Sequence, residues 1–262
     1  MNRLPSLKAS KYKHSISSNQ LYSAAYPATR TSPEIGARRV GLKSPPQHAL
    51  FAPLHYERNY AYPLVVWLHS EGGNERELRQ VMPHVSLRNY VAAAPRGCKP
   101  NSASASGYTW LQSPAAAGEA EERVRQCIDA AKARFNVHDR RVFIAGCGVG
   151  GTMALRLALQ SPDQFAGAIT LGGGMPEGNC PLKSVNAARA LPLMVASNIA
   201  SRTYPQSQVA RDLRLLHSAG FALAIKQYVG EHDLSTCMLA DMDRWMMDRV
   251  CAGSGSLAGS QS

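Results

Sequence analysis

"RVFIAGCGVGGTMALRLAL" occupies residues 141–159, and its reading decides how the rest of the chain is understood. Residues 141–146 read as a short apolar strand, and the stretch from about Gly150 to Leu159 as a helix rich in Ala, Leu and Met. Between them stands Gly146-Cys147-Gly148-Val149-Gly150, with glycine at every second position. That frame predicts a strand turned sharply into a helix. Gly146, Gly150 and Gly151 let the two backbones approach closely, and Gly148 sits at a corner that needs φ/ψ values outside the usual allowed regions.

Outward from this corner, short apolar runs alternate with amphipathic ones from about residue 47, the pattern of a mostly parallel sheet with helices on both faces. Strands are expected at HALFAPL (48–54), YPLVVWLHS (62–70), NYVAAAP (89–95), RVFIAG (141–146), FAGAITLGG (165–173), PLMVASN (192–198) and FALAIKQY (221–228). The second is too continuously apolar for an exposed position. In residues 117–136, Val124, Cys127, Ile128, Ala131 and Phe135 share one face opposite Glu121, Glu122, Arg125 and Lys132, which predicts a helix lying on the sheet. Further helices are expected over Gln206–Ser218 and Leu234–Val250. The fold class is therefore α/β, in one domain over residues 46–251, and no internal repeat is present.

The chain of 262 residues is 45% hydrophobic, enough for a sizeable core. Its charge is uneven. Residues 1–45 hold eight Lys/Arg and one acid, Glu34, so +7 of the formal +11 lies there. This basic, Ser-rich segment fits a disordered tail best, with an organelle leader or a weak anion-binding arm as other readings. It lacks the aromatic interleaving of a nucleic-acid module. Residues 252–262 read as a flexible Gly/Ser tail. No run reaches the roughly 18 apolar residues of a membrane span and no apolar leader is visible, so a cytoplasmic protein is expected. Six cysteines without CxxC or Cys/His metal spacing predict reduced, mostly buried thiols, with no metal and no cofactor.

Three motifs, in order, carry a resemblance: VVWLHSEGG (65–73), FIAGCGVGGTMALRLAL (143–159) and QYVGEHDLS…MLADMDRWMM (227–247). Over roughly residues 47–250 the chain resembles the α/β-hydrolase fold, and within it the phospholipase/carboxylesterase group that includes acyl-protein thioesterases. The resemblance implies an ester or thioester hydrolase with a Ser, Asp, His triad in that chain order. The serine, on a Gly-x-Ser-x-Gly nucleophile elbow, attacks the acyl carbon, the histidine takes its proton and the acid orients the imidazole.

Position by position, the serine falls on Gly148, which offers no hydroxyl or thiol. The acid falls near Ser201, and no Asp or Glu occurs between Glu177 and Asp212. His232 fills the base position, with Asp233 a poor substitute acid because adjacent side chains point apart. Oxyanion-hole amides are implied at Val149 and, in the His69–Gly72 loop, at Glu71, where Gly72-Gly73 could equally be a plain turn before a helix at Asn74. Ser70 stands where the family has glycine. Cys147, one residue early, is expected to point into packing.

The expected function is a hydrolase-fold protein that has lost serine-hydrolase catalysis and keeps a cleft for a small acyl or ester ligand. Two other readings stay open: an active hydrolase using a different nucleophile with His232, and a non-enzymatic interaction scaffold.

Overall fold

The computed structural model describes residues 47–101, 106–178, 182–230 and 234–255. Its centre is a seven-stranded sheet in the order β1-β3-β2-β4-β5-β6-β7, with β1 (His48–Phe51), β2 (Tyr62–Leu68), β3 (Val91–Pro95), β4 (Val137–Cys147), β5 (Gly167–Leu171), β6 (Leu193–Asn198) and β7 (Leu223–Tyr228). Every neighbouring pair is parallel except β1 with β3. The basic tail expected over residues 1–45 lies outside the described residues.

Strand alternation sends successive side chains to opposite faces. On β2, Leu64, Val66 and Leu68 join one core and Val65 and Trp67 the other. The first core is closed by α2 (Pro114–Arg134), α3 (Val149–Gln160) and α5 (Gln206–Ser218), the second by α1 (Leu78–Val85) and α6 (Thr236–Gly255). A four-residue α4 (Val185–Ala188) adds Ala188 to the first. Both faces of β2 are thus covered, which is why the whole strand is buried and continuously apolar.

Several boundaries differ from the expected ones for local reasons. β1 stops at Phe51, two residues before Pro53, which cannot donate to a ladder. α2 begins at Pro114 behind Ser113, whose hydroxyl accepts from the Ala116 amide at 3.3 Å. β4 is longer than expected because its pairing with β2 jumps from Tyr62↔Val137 to Leu64↔Val142, with residues 138–141 as an irregular insertion. α6 runs to Gly255. The thiols depart from expectation: Cys127 and Cys147 are buried, but Cys237 and Cys251 are exposed, because the last helix turns both to solvent. No helix among the described residues is long and apolar enough to cross a membrane.

Candidate functional site

The parallel strands β2, β4, β5 and β6 all end at one edge, and in open α/β sheets the ligand crevice lies outside that edge. β4 ends at Cys147 and α3 begins at Val149, so Gly148 alone makes the corner, with φ 53° and ψ −119°. Its amide donates to the Leu171 carbonyl at 2.9 Å, and its carbonyl accepts from the Thr152 amide at 3.0 Å. A Cβ added to Gly148 would meet nothing within 4 Å among the described residues. Gly150 is the opposite case: a Cβ there would run into the Leu68 and His69 carbonyls. The first turn of α3 therefore abuts the loop that follows β2.

Side chains lock that loop in place. Glu77 is its anchor: one carboxylate oxygen accepts from the Trp67 indole at 2.9 Å, the other from the Ser70 hydroxyl at 2.7 Å, and both lie within hydrogen-bond reach of the Ser70 amide. The Ser70 hydroxyl is spent on Glu77, so the serine in place of glycine braces the loop. His69 is fully buried. Its Nε2 accepts from the Gly97 amide at 3.0 Å, which puts the proton on Nδ1, and Nδ1–H donates to the Ser70 carbonyl at 2.8 Å. Burial lowers its pKa below the ordinary histidine value, so it stays neutral. The Trp110 indole donates to the His69 carbonyl at 3.0 Å. The Gly72 amide donates to Tyr108 and the Gly73 amide to Ser70, each at 3.0 Å.

Among the described residues the amides of Glu71 and of the first residues of α3, Val149, Gly150 and Gly151, meet no acceptor. The Glu71 carboxylate is turned away, accepting from the Thr109 hydroxyl at 2.5 Å. The loop with Glu71 and the first turn of α3 with Val149 are held together at Gly150. Cys147 is buried in the second core with Trp67 and Leu171, away from the corner.

The resemblance puts the acid of the triad near Ser201. Ser201 is buried beyond β6, its amide donating to the Asn198 carbonyl at 3.2 Å and its hydroxyl accepting from the Tyr204 amide at 3.1 Å. The Thr203 hydroxyl lies 3.1 Å from it. The buried Asp212, in α5, is committed elsewhere: one oxygen accepts from the Met175 amide at 2.9 Å and the Tyr204 hydroxyl at 3.1 Å. Burial, then the Asp212 charge, raises the Tyr204 pKa well above the ordinary range. His232 and Asp233 lie outside the described residues. Among the described residues no three His, Cys, Asp or Glu gather to hold a metal ion.

Glu77 and Asp212 were not singled out in the sequence. A signal for Glu77 existed: Asn74 and Glu77 have the spacing of a capping box, and Asn74 does cap, accepting from the Arg76 amide at 2.9 Å. Glu77 instead reaches across to Ser70.

Comparison with known proteins agrees with this architecture. The Esterase family model matches residues 41–187. The fold is similar to that of SOBER1 from Arabidopsis thaliana, with a TM-score of 0.60 and 22% identity over 72% of this chain and all of that one. It is also similar to a phospholipase/carboxylesterase from Dyadobacter fermentans (TM-score 0.57, 16% identity, 79% of this chain and 99% of that one). A carboxylesterase from Bacillus cereus aligns with a TM-score of 0.60 and 14% identity over 77% of this chain and 93% of that one. No curated protein sequence matches the chain.

Proposed function

Because the chain belongs to the Esterase family, we propose that it is an esterase-fold protein that has lost serine-hydrolase catalysis and uses the cleft at the β4–α3 corner to bind a small acyl or ester ligand. The observation that carries this reading is the corner itself. Gly148 holds the strained backbone of a nucleophile elbow, at φ 53° and ψ −119°, yet presents no atom that can attack. Neighbours do not substitute: Cys147 is buried on the far core, and the Ser70 hydroxyl is held by Glu77.

What remains favours binding. The Glu71 and Val149 amides suit a carbonyl or carboxylate oxygen, and the open space over Gly148 leaves room for the atoms that a serine side chain would displace. In this reading Ser201 occupies the acid position without supplying a carboxylate to the base, His232. The exposed thiols Cys237 and Cys251 suit a reducing compartment, the cytoplasm.

The test is exposure of the purified full chain to a fluorophosphonate, which reacts with activated serines, followed by intact mass measurement. No adduct is expected. Stoichiometric labelling at any serine would overturn the reading.

A further inference from the structure

The two edges of the sheet are finished differently. At one end β1 is four residues long and is followed by Pro53, the short, interrupted kind of strand that resists further pairing. At the other end β7 runs Leu-Ala-Ile-Lys-Gln-Tyr without a proline. Its one charge, Lys226, is drawn toward Asp241 of α6, with Nζ 3.7 Å from the carboxylate. The devices that usually guard an exposed edge are therefore missing from β7.

The pairing of β7 with β6 fixes which way its backbone faces. The Leu193 amide donates to the Ala222 carbonyl at 3.0 Å and the Ile199 amide to the Tyr228 carbonyl at 2.9 Å, so the even-numbered residues turn their peptide groups toward β6. With a period of two, Leu223, Ile225 and Gln227 turn theirs outward, where no strand lies among the described residues. The side chains follow the same period. Ala224 and Tyr228 pack on the second core and Leu223 on the first, which puts Ile225 on the first-core face. There Ile225 is 49% exposed, and Val229, just past the strand, is 94% exposed. A strand laid along this edge would meet free peptide groups and apolar side chains together.

The sequence of β7 selects a second copy of itself. Two copies related by a twofold axis perpendicular to the sheet run antiparallel, and one residue must face its own counterpart. Centred on Ile225, the whole strand is used: Ile225 faces Ile225 and Leu223 faces Gln227, pairs that exchange about six hydrogen bonds in all. On the opposite face Lys226 falls beside Ala224, so no like charges meet. Other centres do worse. Centring on Lys226 sets two ammonium groups against each other, and centring on Ala224 sets Gln227 against Phe221, whose amide is already held by the Leu216 carbonyl at 3.1 Å. We propose that β7 pairs with β7 of a second copy in the Ile225-centred register, so that one sheet runs through both copies.

Sedimentation velocity of the full chain tests this at about 0.1 mM, a concentration that saturates an interface of about micromolar Kd. A dimer is expected. Ile225→Lys and Ile225→Glu each place like charges on the twofold axis, and each is expected to raise Kd by about thirtyfold or more. An equimolar mixture of the two variants is expected to restore the dimer, because a position that faces itself turns the two changes into an ion pair. Leu54→Lys, at an exposed apolar residue beyond β1, is expected to leave the dimer unchanged. A monomer at that concentration overturns the proposal and leaves the edge to a foreign strand. A dimer that survives Ile225→Lys, or a mixture of folded variants that stays monomeric, overturns it as well. Amide hydrogen exchange on the unmodified chain needs no variant: at the same concentration the Leu223, Ile225 and Gln227 amides are expected to be protected like those of an interior strand, and fast exchange at all three refutes the pairing.

Discussion

The loop after β2 together with the β4–α3 corner, and the turn after β6, stand at the same sheet edge, yet they are built differently. In the first, Glu77 receives Trp67 and Ser70, buried His69 is held at both nitrogens, and Gly150 lies against two carbonyls. In the second, the Ser201 amide donates to the Asn198 carbonyl and its hydroxyl meets that of Thr203, closing a turn of uncharged side chains. The difference follows from what each has to supply. In the proposed reading, oxyanion donors are backbone groups that the fold keeps, whereas nucleophile and acid are side chains, whose replacement at Gly148 and Ser201 leaves the backbone in place.

The comparison breaks most visibly in kinetics. Gly148→Ser has room for its side chain and is expected to leave ester hydrolysis near background, because an unoriented histidine costs about 10⁴-fold in kcat. Gly148→Ser with Ser201→Asp is expected to exceed the sum of the single effects in free-energy terms, read from initial rates on an activated ester. Additive effects would show that residue 201 is not the acid position.

Within the corner, urea denaturation separates packing from chemistry. Gly150→Ala drives a Cβ into the Leu68 and His69 carbonyls and is expected to cost more than about 4 kcal/mol. Gly148→Ala meets no atom and pays only for its positive φ, about 1 kcal/mol. Equal losses would mean that the corner is not shaped as described.

Between the two regions, Glu77→Ala is expected to destabilise by about 2–3 kcal/mol, since it orphans the Trp67 indole and the Ser70 amide and hydroxyl together. Ser201→Ala removes one neutral acceptor and should cost about 1 kcal/mol. The effect of pH has a definite sign. His69 is neutral in the folded chain with its pKa lowered by burial, so the unfolded chain binds the proton first. Stability is full above about pH 6.5 and falls below it, by up to about 1.4 kcal/mol per pH unit. His69→Gln should flatten that slope in denaturation midpoints measured from pH 7.5 to 5.

The order of strands and helices was legible because period and burial coincide: β2 is buried on both sides and reads as an apolar run, and α5 spans Gln206–Ser218 as its pattern predicts. The corner was legible because Gly148 needs a conformation that glycine adopts easily. What escaped the sequence depends on partners far along the chain. Arg156 meets Gln112 and Glu177, and Asp212 meets Met175 and Tyr204, pairings that no local period encodes. Ser70 is likewise tied by a contact that no local pattern encodes, the reach of Glu77 to its hydroxyl.

The most direct measurement is turnover of p-nitrophenyl butyrate by the unmodified full chain beside His232→Ala. If Gly148 holds the nucleophile position, as proposed, both proteins are expected to give the same rate, at or near that of buffer. Turnover of tens per second that disappears in His232→Ala would contradict the loss of catalysis and require a nucleophile other than the residue at 148.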